Sequence, residues 1–189
     1  MRYSVIQALF LVTLYLGVFQ TGFTQAPERL SGTWVLDNNS ALRSNKSNTN
    51  IYQHYYVTLS FDGDKLSVTK DYAIAGTNVK YTLILFTDNR GEKNIVPDLR
   101  DQKKEITSKT RWKNDAIVRE YSSQSALGFP NTTALNMNLI EETKEKYSLS
   151  DDGKNLFLTV IVTGNTYNNG MQAKTVGNLN SSSKLVFRR

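Results

Sequence analysis

Three stretches of this chain repeat one pattern: alternating apolar and polar residues, a turn built from Asp, Asn or Gly, and a second alternating run. In residues 52–61 (YQHYYVTLSF), Tyr55, Val57, Leu59 and Phe61 share one face, and His54, Tyr56, Thr58 and Ser60 share the other. That period of two belongs to a strand with one buried face. Asp62-Gly63-Asp64 turns the chain, and residues 65–72 return with Leu66, Val68 and Tyr72 aligned. The turn needs positive φ, which glycine accepts. Residues 104–112 and 116–121 flank Lys113-Asn114-Asp115 in the same manner, and residues 147–150 and 155–162 flank Asp151-Asp152-Gly153. YVTLSFDGDKLSVTK and EKYSLSDDGKNLFLTV form a weak internal repeat. Successive hairpins make a meander, and a meander of about eight to ten strands exposes two bare edges unless it closes. The expected fold is all-β, an antiparallel up-and-down meander closed into a barrel.

The remaining segments are filled in around these hairpins. Residues 30–36 (LSGTWVL) open the domain, and residues 79–86 read as a strand with Val79, Tyr81, Leu83 and Leu85 aligned. The charged stretch 87–103 reads as a loop, because Pro97 breaks a strand. Residues 122–136, with Gly128 and Pro130, read as a second loop. Residues 138–149 suit either a helix, from their Glu and Lys content, or a strand; the strand is favoured in the C-terminal half. The Asn/Gly/Ser-rich stretch 163–183 reads as a long loop that could cover the mouth of a barrel, and residues 184–189 as a last strand.

The N-terminus sets the expected compartment. Arg2 precedes an apolar run at residues 8–19 (ALFLVTLYLGVF), and small residues follow at Gly22, Thr24 and Ala26. This is the order of a secretory signal peptide. The run is too short to span a membrane comfortably, and no basic stop-transfer cluster follows it. Residues 1–26 are therefore expected to be a signal peptide and residues 27–189 one domain, secreted or periplasmic, with no transmembrane segment in the mature chain. Cysteine is absent, which excludes disulfides, thiolate metal sites and a cysteine nucleophile. A domain of about 160 residues can be held by its apolar core and sheet hydrogen bonds.

Residue types that carry chemistry are sparse. The net charge of +6 is scattered and interleaved with acids, so no nucleic-acid partner is expected. His54 is the only histidine and cannot build a His-rich zinc site or, without a nucleophile elbow, a Ser-His-Asp triad. Glu141, Glu142 and Glu145 offer an acid/base pair of the kind glycosidases use, but their interleaving with Lys144 and Lys146 favours a solvated charged face. Asp62, Asp64, Asp151 and Asp152 lack the spacing of a calcium loop and read as turn residues. No catalytic set, metal or cofactor is expected, and the chain reads as a non-enzyme. The aromatics are more informative. Tyrosines on the buried faces give apolar walls with polar handles, so Tyr55, Val57, Leu66, Val68, Tyr81, Leu83 and Tyr147 are the candidate lining of a ligand cavity.

Ser31-Gly32-Thr33-Trp34, followed by Val35-Leu36-Asp37, resembles the Gly-x-Trp opening of lipocalin-like barrels. It is similar to bacterial exported lipocalin-like proteins that begin "sGtWvLd…s" and carry Asp-Gly hairpins. Asp37, Ser40, Trp112, the turn 151–154 and the basic end Phe187-Arg188-Arg189 fit that pattern. Two features depart from true lipocalins: no disulfide is possible, and no helix is evident before the last strand. The resemblance implies a barrel in which Gly32 bends the chain, Trp34 plugs one end, and Arg188 or Arg189 lies over the indole as a cation–π contact. Two functions follow as expectations. One is an extracytoplasmic binding protein for a small hydrophobic or amphipathic ligand. The other is a packed barrel with a structural or interaction role, its partner an envelope protein.

Overall fold

The computed structural model describes residues 25–37, 52–97, 103–127, 137–168, 171–172 and 179–189. Almost all of the expected signal peptide, residues 1–24, lies outside the described residues, as does Ser40. A short helix, α1 (Gln25–Leu30), precedes eleven strands: β1 (Gly32–Leu36), β2 (Tyr52–Asp62), β3 (Lys65–Ile74), β4 (Thr77–Phe86), β5 (Glu92–Pro97), β6 (Lys103–Lys113), β7 (Ala116–Leu127), β8 (Met137–Leu149), β9 (Asn155–Asn168), β10 (Met171–Gln172) and β11 (Leu179–Arg188).

Ten of these follow one another around a single antiparallel wall, in the order β4-β3-β2-β1-β11-β9-β8-β7-β6-β5, and β10 pairs only with the end of β9. The chain is therefore an all-β up-and-down meander forming a nearly closed barrel. β1 joins the ring's two halves by pairing with β2 on one side (Trp34 opposite Val57) and β11 on the other (Leu36 opposite Phe187). The remaining seam lies between β4 and β5, where side chains stitch the wall. Asn94 bonds both the N–H and the C=O of Ile84, and Glu92 accepts from the amide of Phe86.

The three turns expected from the sequence all form. Asn114 and Asp115 both take positive φ, 48° and 56°, the mirror-image turn that matches strand twist. These turns gather at one end of the barrel, here the lower end.

Three loops expected from the sequence are shorter than anticipated. β5 occupies part of the charged stretch 87–103, with Pro97 as its last residue. A proline lacking an N–H is tolerated at the end of an edge strand, and β5 pairs through the backbone with β6 alone. β7 runs on to Leu127, leaving residues 128–136 outside the described residues. The stretch 163–183 contains the end of β9, all of β10 and the start of β11, because Leu179 to Arg188 pair residue by residue with Gly164 to Asn155. Residues 138–149 are strand throughout, as part of β8.

The apolar core fills the lower barrel. Trp34, Leu36, Val57, Leu59, Leu66, Val68, Leu83, Leu85, Ile117, Leu156, Leu158 and Phe187 are buried together, and Leu30 of α1 caps them from below. Each such side chain contributes on the order of 2 kcal/mol on burial. Phe61 and Trp112 stack at 5.9 Å on the margin of this core.

Candidate ligand site in the barrel interior

Charge is carried inward by Glu92 of β5 and by three residues that cluster across the barrel. Lys70 follows Val68 and precedes Tyr72 on β3; Arg119 sits between Ile117 and Tyr121 on β7; Glu145 sits between Thr143 and Tyr147 on β8. Strand alternation turns all three toward the barrel axis. They are 4%, 2% and 5% exposed. Glu145 therefore belongs to the interior, and the solvated face expected for its cluster holds for Glu142, Lys144 and Lys146, which share the outward face of β8.

The three groups meet. Lys70 Nζ donates to Glu145 Oε1 at 2.9 Å, and Tyr147 Oη donates to Oε2 at 3.0 Å. Arg119 Nη1 reaches Oε2 at 3.4 Å, and its Nε donates to Ser108 Oγ at 3.0 Å. Ser108 passes the chain on to Glu92 Oε1 at 2.6 Å, where Thr110 also donates at 2.7 Å. Arg119 Nη2 is buried with no hydrogen-bond acceptor among the described residues. A guanidinium carries five donors, and leaving one unmet in a dry interior is costly.

Burial alone would raise the Glu145 carboxyl, but the adjacent Lys70 and Arg119 charges outweigh it and hold the pKa at about 2. Lys70 is likewise disfavoured as a cation by burial, yet Glu145 pushes its pKa well above the ordinary lysine value. The pair is thus ionised together. Tyr55, Tyr72, Tyr121 and Tyr147 are all held as neutral phenols, chiefly because burial disfavours the phenolate; Tyr72 is pushed up to about 12. Such groups donate and accept hydrogen bonds but do not act as bases near neutral pH. The arrangement suits holding a charged or polar group rather than moving protons.

Above the charges lies an aromatic layer. Tyr52, Tyr55 and Tyr72 pack with centroids 5.0 to 5.8 Å apart, and Tyr72 meets Tyr81 edge-on at 6.4 Å. Arg119 lies 4.5 Å from the ring of Tyr121. Tyr52, Tyr72, Tyr81 and Tyr121 keep part of their surface accessible.

The nominated lining residues divide accordingly. Val57, Leu66, Val68, Leu83 and Tyr147 have no accessible surface, so they touch no water-sized space and belong to the packed core. Tyr55 and Tyr81 stand at its upper boundary. Lys70 and Arg119 escape notice in the sequence and Glu145 reads there as solvated, although the period of two already places each on its strand's apolar face.

At the lower end, Trp34 is sealed and its Nε1 donates to the Leu30 carbonyl at 2.9 Å. Arg189 is the cation over the indole, at 4.5 Å, and its Nη2 also donates to the carbonyls of Arg29 and Ser31. Arg188 instead pairs with Asp37 at 2.6 Å. Gly32 has φ +125°, a conformation that side chains rarely adopt. Among the described residues no group of three His, Cys, Asp or Glu could hold a metal ion, and no helix is long and apolar enough to cross a membrane.

No protein-family model matches the chain, and no curated protein matches it. Among solved structures, apo lipid binding protein 8 of Caenorhabditis elegans is similar at 9% identity and a TM-score of 0.45, over 86% of this chain and 96% of that one.

Proposed function

We propose that this protein is a non-enzymatic binding module that takes a small amphipathic molecule into the upper barrel, its apolar body among the tyrosines and its anionic end at Arg119. We place it outside the cytoplasm, secreted or periplasmic, on the leader-like residues 1–26. The observation that carries the reading is Arg119 Nη2, a buried donor without a partner among the described residues, on a guanidinium packed 4.5 Å from the ring of the half-buried Tyr121. A carboxylate or similar group there would complete the guanidinium's hydrogen bonds in a medium where charge-assisted bonds are strong. The tyrosines supply rigid apolar area at low entropic cost.

The test is native mass spectrometry of the protein purified from its own host, followed by titration with a long-chain carboxylate and the alcohol of equal chain length. Carboxylate binding at least about tenfold tighter than alcohol binding is expected for a charge-assisted contact. Equal affinity would remove the role given to Arg119. No binding of either, with nothing co-purifying, would favour a packed barrel that works through its outer surface and an envelope partner. That second reading draws on the five sealed core positions.

A further inference from the structure

We propose that the lower end of the barrel carries an oxyanion site, separate from the interior, that takes a phosphate-type group. A cleft of about 550 Å³ opens there, lined by Gly153, Lys154 and Asn155 of the β8–β9 turn and by Arg188 and Arg189 at the end of β11. Among the described residues, no Asp or Glu side chain lines it.

Its two guanidiniums are held in place before any anion arrives. Arg189 is stacked over Trp34 and tethered through Nη2 to the carbonyls of Arg29 and Ser31, which leaves Nε and Nη1 uncommitted by those bonds. Arg188 is anchored by the buried Asp37 while its own side chain stays 63% exposed. Pre-oriented forks lose little freedom when they bind, and guanidinium matches a tetrahedral oxyanion in bidentate geometry. Lys154 adds an ammonium from the neighbouring turn, next to the Asn155 that pairs with Arg188. Asp152, on the same turn, faces back onto it: its Oδ1 accepts from Ser150 Oγ and the Lys154 amide.

Gly153 brings a further cation to the rim. It has φ +70°, and a Cβ built there would stand 3.0 Å from Arg29 Nη2. The absence of a side chain lets the Arg29 guanidinium of α1 lie over the turn, beside the concavity that Lys154, Arg188 and Arg189 line.

The experiment is a titration of the protein with inorganic phosphate at low ionic strength, followed by the Gly153 amide and the arginine Nε–H resonances. A second arm uses vesicles of phosphatidylglycerol and phosphatidylcholine. Saturable shifts with a Kd on the order of 1 mM are expected from a few charge-assisted bonds in a solvated cleft. The variant Lys154→Gln/Arg188→Lys keeps the charge beside Asp37 but loses one cation and one fork, and should bind about tenfold more weakly with an unchanged circular dichroism spectrum. The absence of saturation, or equal binding by the variant, would overturn the site. Vesicle binding without free-phosphate binding would also overturn it, in favour of general attraction to an anionic surface. None of these outcomes depends on what the interior holds.

Discussion

The side chain of Asn94 makes to Ile84 the two hydrogen bonds that a neighbouring strand would make. Its Oδ1 accepts from the Ile84 amide at 2.7 Å, and its Nδ2 donates to the Ile84 carbonyl at 2.9 Å. β4 and β5 are the two ends of the sheet, and this carboxamide stands in for the missing ladder between them. Asn94→Leu keeps the size but orphans both backbone groups. The expected loss is about 2 kcal/mol in urea unfolding, with faster amide exchange at Ile84 than at Leu83. A loss below about 0.5 kcal/mol, the range of ordinary surface changes, would show that water replaces the stitch without cost.

Glu145 neutralises two buried cations at once. Glu145→Gln keeps the shape but leaves Lys70 and Arg119 without their anion, a change expected to cost roughly 3–5 kcal/mol. A Lys70→Met/Glu145→Leu double variant should recover part of that loss, because it removes the opposed pair together. If the two single losses simply add in the double variant, the pair is not coupled.

The same cluster sets acid stability. The folded Glu145 carboxyl sits at about 2, below its ordinary value of 4.5, so the unfolded chain binds the proton more readily. Its contribution, roughly 3 kcal/mol, is complete above pH 4.5 and is lost as the pH falls toward 2. Lys70 and the buried tyrosines are raised, so their contributions are present below their ordinary values near 10 and are lost as the pH rises beyond them. Stability measured from pH 2 to 11 should be flat in the middle and fall at both ends. The acid limb should shrink in Glu145→Gln.

Removing the cation over Trp34 loosens the lower plug. Arg189→Ala deletes the cation–π contact and both carbonyl bonds to Arg29 and Ser31. A destabilisation of roughly 1 kcal/mol is expected, together with a red shift of tryptophan emission as water reaches the indole. Arg188→Ala should leave the emission unchanged, because Arg188 contacts Asp37 and not the ring.

The hairpins were legible because their turns and their alternation agree, each signal confirming the other. Polar strand ends were not. Asn180, Ser181, Ser182 and Ser183 carry no apolar alternation, and only pairing with Thr163 to Val160 makes them strand. That pairing is tertiary and leaves no local trace. β5 was hidden by Pro97, whose cost vanishes at an edge stitched by side chains. The interior charges were hidden differently. Their spacing was correct, but lysine, arginine and glutamate are so rarely buried that composition outweighed position. A charged residue midway between two inward apolar ones, on three strands, was the available signal.

β1 is five residues long, yet it is the piece that joins β2 to β11 and completes the ring. Its second partner, β11, follows all the other described strands in sequence, so the ring cannot close until β11 has been made. Such distant pairing slows folding and lengthens the time during which bare strand edges are open to other molecules. A chain cut short before β11 would leave a gapped ring with unpaired edges at both β1 and β9, open to pairing with other copies edge to edge.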